Sequence, residues 1–319
     1  MTPRQVGLLA ALAGIWGASY LLIKYALEGF SAAEIVFLRT AIATIVLVIV
    51  IRIMGGEQWT ALRGTPKRPG RALLLGFTAV AAPFLLITIG EKTVPSGLTA
   101  VLISPASLFV ALFAPFLDPS ESIDRRQASG LFAGLAGVAL LVGVETVHSV
   151  DQFLGALGVL AASALYAISS FVVKGPFKGV PAIVSSATSV CVGAAMTLPF
   201  AVLTLHHGTP GLRAILSVLA LGAVGTALAF VIFYWLIGEV GAGRASLVSY
   251  LAPGVALFYG AVFLDEPIGW AAIVGLGLIL GGVFVAGRSR APEKGVQPYA
   301  EPHRTLAPDP AVSGDSDPT

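Results

Sequence analysis

The sequence predicts an all-α polytopic membrane protein, with ten transmembrane helices arranged as two inverted five-helix repeats. Of its 319 residues, 56% are hydrophobic and only 11% charged, with a mean hydropathy of +0.89. A soluble domain carries about 25% charge, so a soluble globule is excluded. Uncharged apolar runs recur from residue 5 to residue 287, and no link between them is long enough for a separate domain. The chain also repeats itself at separations of 145–150 residues.

A hydrocarbon core of about 30 Å needs roughly 20 helical residues. The first run, 5–27, follows Arg4 as a secretory signal would. It is uncharged from Gln5 to Ile23, long enough to span, and predicts a retained helix. The second, 32–53, holds Arg39, and the third, 72–90, follows a basic link. The fourth, 96–117, carries Pro105, and the fifth, 127–147, follows Arg125 and Arg126. Runs 153–173, 180–205 and 214–238 come next, then 245–264 with Pro253 and finally 267–287. Their length, without strict apolar/polar alternation, excludes a membrane β-barrel. Residues 289–319 are rich in proline and poor in large apolar side chains, which predicts disorder.

With the N-terminus inside, 15 of the 19 lysines and arginines fall on the cytoplasmic side, which predicts two cytoplasmic termini. The exceptions are Lys24, Arg39, Lys92 and Arg213. A net charge of +2 is too small to argue for a nucleic-acid partner, and the single cysteine, Cys191, cannot form an internal disulfide.

Residues 15–29 lie against 165–179, pairing Trp16 with Tyr166, Ser19 with Ser169 and Lys24 with Lys174. Ile-Gly-Glu occurs at 89–91 and at 237–239, and Pro105 matches Pro253. Gly130, Gly137 and Val138 match Gly275, Gly282 and Val283. The predicted halves are 1–147 and 148–288, with 289–319 as a cytoplasmic tail. Five is odd, so the second half enters the membrane from the opposite side, the symmetry that alternating access uses. A duplicated scaffold that moves nothing is the alternative.

Trp16-Gly17 with Lys24, Phe37-Leu38-Arg39, and residues 241–253 followed by Glu266 resemble the EamA-type branch of the drug/metabolite transporter superfamily. The resemblance covers residues 5–287, twice over. In the first half the matching glutamate is replaced by Asp118 or displaced to Glu121. The resemblance implies ten helices around a central cavity and movement of small metabolites, often amino acids and often outward. A lipid-handling or scaffold membrane protein of the same fold is the competing reading.

Arg39, about 12 Å into its helix, is the deepest charge. A charge there costs about 2.5–3.5 kcal/mol, so it is expected to face a cavity or a partner, either a substrate carboxylate or Glu34 and helix-end carbonyls. Lys24 is expected to snorkel to the headgroups, with a pair to Glu34 or substrate as the alternative. Pro105 and Pro253 each delete a helical N–H, freeing the carbonyls of Val101 and Ser249, and are candidate gates. Trp16, Ser19, Thr88, Ser104, Tyr166, Ser169, Tyr234, Ser249 and Tyr250 are candidate substrate contacts. Gly130-x-x-x-Gly134 and Gly277-x-x-x-Gly281 predict close packing within the protomer or in a homodimer.

His148, His206, His207 and His303 lie in links or the tail, which argues against an intramembrane haem site or a serine–histidine pair at depth. There is no phosphate-binding G-x-x-x-x-G-K-[ST] loop, and no cofactor, metal site or enzymatic activity is expected. Every Asp and Glu of the spans falls near an end, which argues for facilitated exchange or uniport over tight proton coupling.

Overall fold

The computed structural model describes residues 1–64, 69–117, 125–145, 149–206 and 208–287. The described residues fold into helices joined by short links, and each of the ten apolar runs holds a helix. Eight stretches are long and apolar enough to cross a membrane, and two shorter apolar helices follow them. Asp118, Glu121, His148, His207, His303 and the tail 289–319 lie outside the described residues.

α1 (Pro3–Ala26) opens on a capping box between Thr2 and Gln5, with Pro3 at the first turn, where its missing N–H costs nothing. α2 (Ala32–Met54) opens on the same device between Ser31 and Glu34 and ends at Gly55, whose φ of 62° suits glycine. The link expected after it contains a further helix, α3 (Gly56–Gly64), held by the Arg52 guanidinium lying 5.0 Å over the Trp59 ring.

The third span is continuous but not uniform. α4 (Pro69–Gly76) passes through a π-helical stretch, 77–81, into α5 (Ala82–Gly90). The fourth splits, with α6 (Ser96–Ile103) ending before Pro105 and α7 (Ala106–Leu117) starting after it. The Val101 carbonyl beside the break accepts from the Ser104 N–H at 3.1 Å and from its hydroxyl at 2.7 Å, which satisfies the acceptor that Pro105 leaves free.

α8 (Arg125–Glu145), α9 (Val150–Lys174) and α10 (Ala182–Leu203) are each unbroken. α11 (Leu212–Gly222) leads through a second π-helical stretch, 223–228, into α12 (Ala229–Val240). Then come α13 (Ala242–Ala245), α14 (Val248–Leu264) and α15 (Trp270–Gly287). The ninth run therefore breaks at Ser246–Leu247, ahead of Pro253, which sits within α14.

α2 packs on α10, α1 on α14, and α5 on α9, while α8 and α15 pack along each other beside them. The expected close packing occurs, but in α15 it falls on different glycines. A Cβ on Gly277 or Gly281 would meet nothing within 4 Å, whereas one on Gly275 would lie 3.1 Å from the Gly137 carbonyl oxygen. Gly275 and Gly282 are seven residues apart and so share a face, the one turned to α8. This contact accounts for the glycines within one protomer.

Candidate functional site

A cavity of about 340 Å³ lies between α1, α2, both π-helical stretches, the α6–α7 break, α9 and α14. Of the expected residues, Trp16, Ser19, Arg39, Ser104, Tyr166, Ser249 and Pro253 line it. Pro105 is flanked by the lining residues Ser104 and Ala106.

The other expected residues do not line the cavity. Thr88 is buried in α5. The Ser169 hydroxyl donates to the Tyr166 carbonyl at 2.8 Å, the Tyr234 hydroxyl pairs with Ser186 on α10, and Tyr250 packs against the core cluster that includes α8 and α15.

Arg39 is 9% exposed and held on two sides. Its Nε donates to Thr226 Oγ1 at 2.8 Å, and its guanidinium carbon lies 4.3 Å from the centre of the Phe84 ring, a favourable cation–π contact worth about 0.5–2 kcal/mol. Glu34, the expected protein partner, is engaged elsewhere. Its Oε2 accepts from the Ser31 N–H at 2.8 Å and the His206 N–H at 3.1 Å. The terminal NH2 groups of Arg39 make no hydrogen bond to protein among the described residues, which leaves the planar fork to the cavity.

Both positioning contacts come from next to irregular helix. The Thr226 hydroxyl donates to the Leu221 carbonyl five residues back, at 2.8 Å, inside the second π-helical stretch, and Phe84 follows the first. Phe84, Thr226 and Phe230, which also line the cavity, were missed in the sequence. All three sit in or beside the pair of π-helical stretches, which recur at a spacing close to that of the repeat.

One end of the cavity is closed. The Lys24 ammonium does not snorkel. It donates to the backbone carbonyls of Glu91 at 2.5 Å and Val94 at 2.8 Å, tying α1 to the α5–α6 link. The Glu266 carboxylate accepts from the Ser96 N–H at 2.7 Å, the Ser96 hydroxyl at 2.8 Å and the Gly97 N–H at 3.1 Å, capping the first turn of α6. The Thr93 hydroxyl reaches the Asp151 carbonyl at 3.2 Å, and Arg213 pairs with Glu28 on the exposed surface at 2.6 Å. The other end is open, with Ser107 and Ser249 both lining the cavity and exposed.

Glu91 departs most from expectation. It lies one residue beyond the third span, at a helix end as predicted, yet it is 0% exposed and neither carboxylate oxygen has a hydrogen-bond partner. Burial pushes its carboxyl well above the usual carboxylate range. Lys24 pulls the other way, Glu266 adds to the rise and Arg39 opposes it.

Residues 5–143 and 153–288 match the EamA-like transporter family. The chain belongs to that family. Its EamA-type relatives include an "Uncharacterized transporter YoaV" of Bacillus subtilis, 27% identical over 277 residues that cover 85% of this chain and 92% of that protein. The "Probable terminal-alkyne amino-acid exporter" of Streptantibioticus cattleyicolor is 27% identical over 86% of this chain and 90% of its own. The "Probable amino-acid metabolite efflux pump" of Salmonella typhimurium is 26% identical over 88% and 94%. A solved crystal structure of 21% identity covers 90% of this chain and 98% of its own with a TM-score of 0.63, so the two share a fold. Membership of the EamA-like family, together with the apolar helices, makes this a multi-pass membrane transporter.

Proposed function

We propose that the chain is an alternating-access carrier of ten membrane-crossing helices, built from two inverted five-helix halves, 1–147 and 148–288. It moves an amino acid or a related carboxylate-bearing metabolite outward. The observation that carries this reading is Arg39, a cavity-lining residue fixed by Thr226 and Phe84 and given no further protein hydrogen bond among the described residues. A planar guanidinium binds a carboxylate through two parallel hydrogen bonds, and Trp16, Tyr20 and Phe230 supply an apolar wall for a side chain. The names carried by the relatives from Streptantibioticus and Salmonella support the same substrate class.

Matched contacts support the inverted pairing. A Cβ on Gly76 would lie 2.6 Å from Val192 Cβ, and one on Gly222 would lie 2.6 Å from Ile42 Cβ. Gly76 and Gly222 are 146 residues apart, Ile42 and Val192 are 150 apart, and each contact is the other with its halves exchanged. Gly137 against Gly275, and Gly130 against Gly282, repeat the relation on α8 and α15. Reciprocal contact of this kind is what a two-fold axis produces.

Counterflow of radiolabelled amino acids into proteoliposomes tests the reading. Arg39→Ala should cut it at least ~10-fold, since a charge-assisted hydrogen bond contributes about 1.5–3 kcal/mol. Amino alcohols lacking the carboxylate should not move. Equal movement of acid and alcohol, or wild-type rates in Arg39→Ala, overturns it. A lipid-handling protein would instead exchange labelled lipid between leaflets.

A further inference from the structure

Glu91 combines two properties that rarely coexist, since a carboxyl group with no exposed surface normally has hydrogen-bond partners. Ile87, one helical turn earlier on the same face, lines the cavity, so Glu91 stands just past the cavity floor at its closed end. The charged and titratable groups around it are Lys24 and Tyr20 from α1, Arg39 from α2 and Glu266 from the α14–α15 link. From α9, Tyr166 faces the cavity and Asp151 is exposed, while the adjacent Lys92 points to solvent. Lys24 is the natural counter-charge, but its ammonium is aimed at two backbone carbonyls, one of them that of Glu91 itself.

An ionised carboxylate without a single hydrogen bond is far costlier to bury than a neutral acid. We propose that Glu91 is a proton-binding site of the carrier, protonated while this end of the cavity is closed and ionised once the end opens to water. On opening, the proton passes from the carboxyl to water, and the new carboxylate draws the Lys24 ammonium off the carbonyls of Glu91 and Val94. Closure and proton uptake are then one equilibrium, so acid favours the closed end and alkali the open one. Glu239, which matches Glu91 in the sequence repeat, is exposed, as is Lys174, the match of Lys24. Buried Glu91 beside half-buried Lys24, and exposed Glu239 with exposed Lys174, are the two states that one proton site would show on opposite faces. This coupling rests on the carrier reading above.

Infrared difference titration of the protein in lipid nanodiscs reads the carboxyl directly and needs no substrate. The wild type should show the C=O stretch of a protonated acid at neutral pH, absent in the isosteric Glu91→Gln and restored in Glu91→Asp. A spectrum unchanged in Glu91→Gln, or no protonated-acid band at neutral pH, overturns the proposal. In proteoliposomes, Glu91→Gln should abolish leucine movement driven by a pH gradient and remove the pH dependence of leucine exchange. Gradient-driven movement at the wild-type rate overturns the coupling. If the wild type moves no leucine or other amino acid, the substrate reading fails, and the infrared result still decides Glu91.

Discussion

Arg39 and Thr226 are 187 residues apart, and their contact ties the deepest charge of the first half to the second half. Removing the acceptor with Thr226→Val leaves a buried donor unmatched, at about 1–3 kcal/mol. Counterflow should fall less in Thr226→Val than in Arg39→Ala, and the double variant should be no worse than Arg39→Ala alone, because the threonine acts only through the arginine. Additive losses would separate the two residues. Lys24→Met removes a tie at the closed end and touches no substrate, so it should alter the maximal exchange rate while changing the half-saturating concentration less than Arg39→Ala does. That Arg39 faces a cavity was legible because a charge so far along an apolar helix needs one or a partner. Its partner was not, because nothing local marks Thr226. Glu91 misled for a related reason. Position near a helix end fixes depth, but burial at that depth depends on what packs beside it, here Lys24 and the link to α6.

At the scale of elements, apolar run length located every long helix, and caps such as Ser31 with Glu34 explain the sharp starts. The π-helical stretches left no trace in the pattern, since 77–81 and 223–228 are as small and apolar as their surroundings. The proline pair was half legible. Pro105 falls at a break, whereas Pro253 lies inside α14, with the break at Ser246–Leu247. The glycines separate cleanly. A Cβ on Gly137 would lie 2.8 Å from both the Gly275 carbonyl oxygen and Leu278 Cβ, while Gly277 has open space. Gly137→Ala should therefore lower the melting temperature in detergent, by about 1–3 kcal/mol of overpacking, and Gly277→Ala should leave it unchanged or raise it. The reverse order would place the α8–α15 contact on the wrong face.

For the whole molecule, the proposed topology, argued from the lysine and arginine distribution and an odd number of helices per half, predicts that the α8–α9 link lies outside. Ser149, which caps α9 and is exposed, is the reporter. A Ser149→Cys variant in a Cys191→Ser background should react with an impermeant maleimide in intact cells. Reaction only after permeabilisation would reverse the orientation. The all-helical, multi-pass plan was legible because membrane solvation forces long apolar runs. The cavity's shape was not, because it arises where α1, α2, α9 and α14 meet. If the prolines act as hinges, Pro105→Ala and Pro253→Ala should shift the accessibility of single cysteines at Ser19 and Ser169 in opposite senses. Parallel shifts would contradict inverted halves.

A π turn holds one residue more than the α-helix it interrupts, and each residue turns a helix by about 100°. The stretch at 77–81 thus sets the angular register of everything after it in that span. Deleting one residue there would restore regular geometry and swing Phe84 off the guanidinium and Glu91 away from Lys24 together. A deletion of the same size in 223–228 would turn α12 instead. Insertions and deletions, usually tolerated only in loops, should here act as a dial on the site, retuning two distant side chains without replacing either.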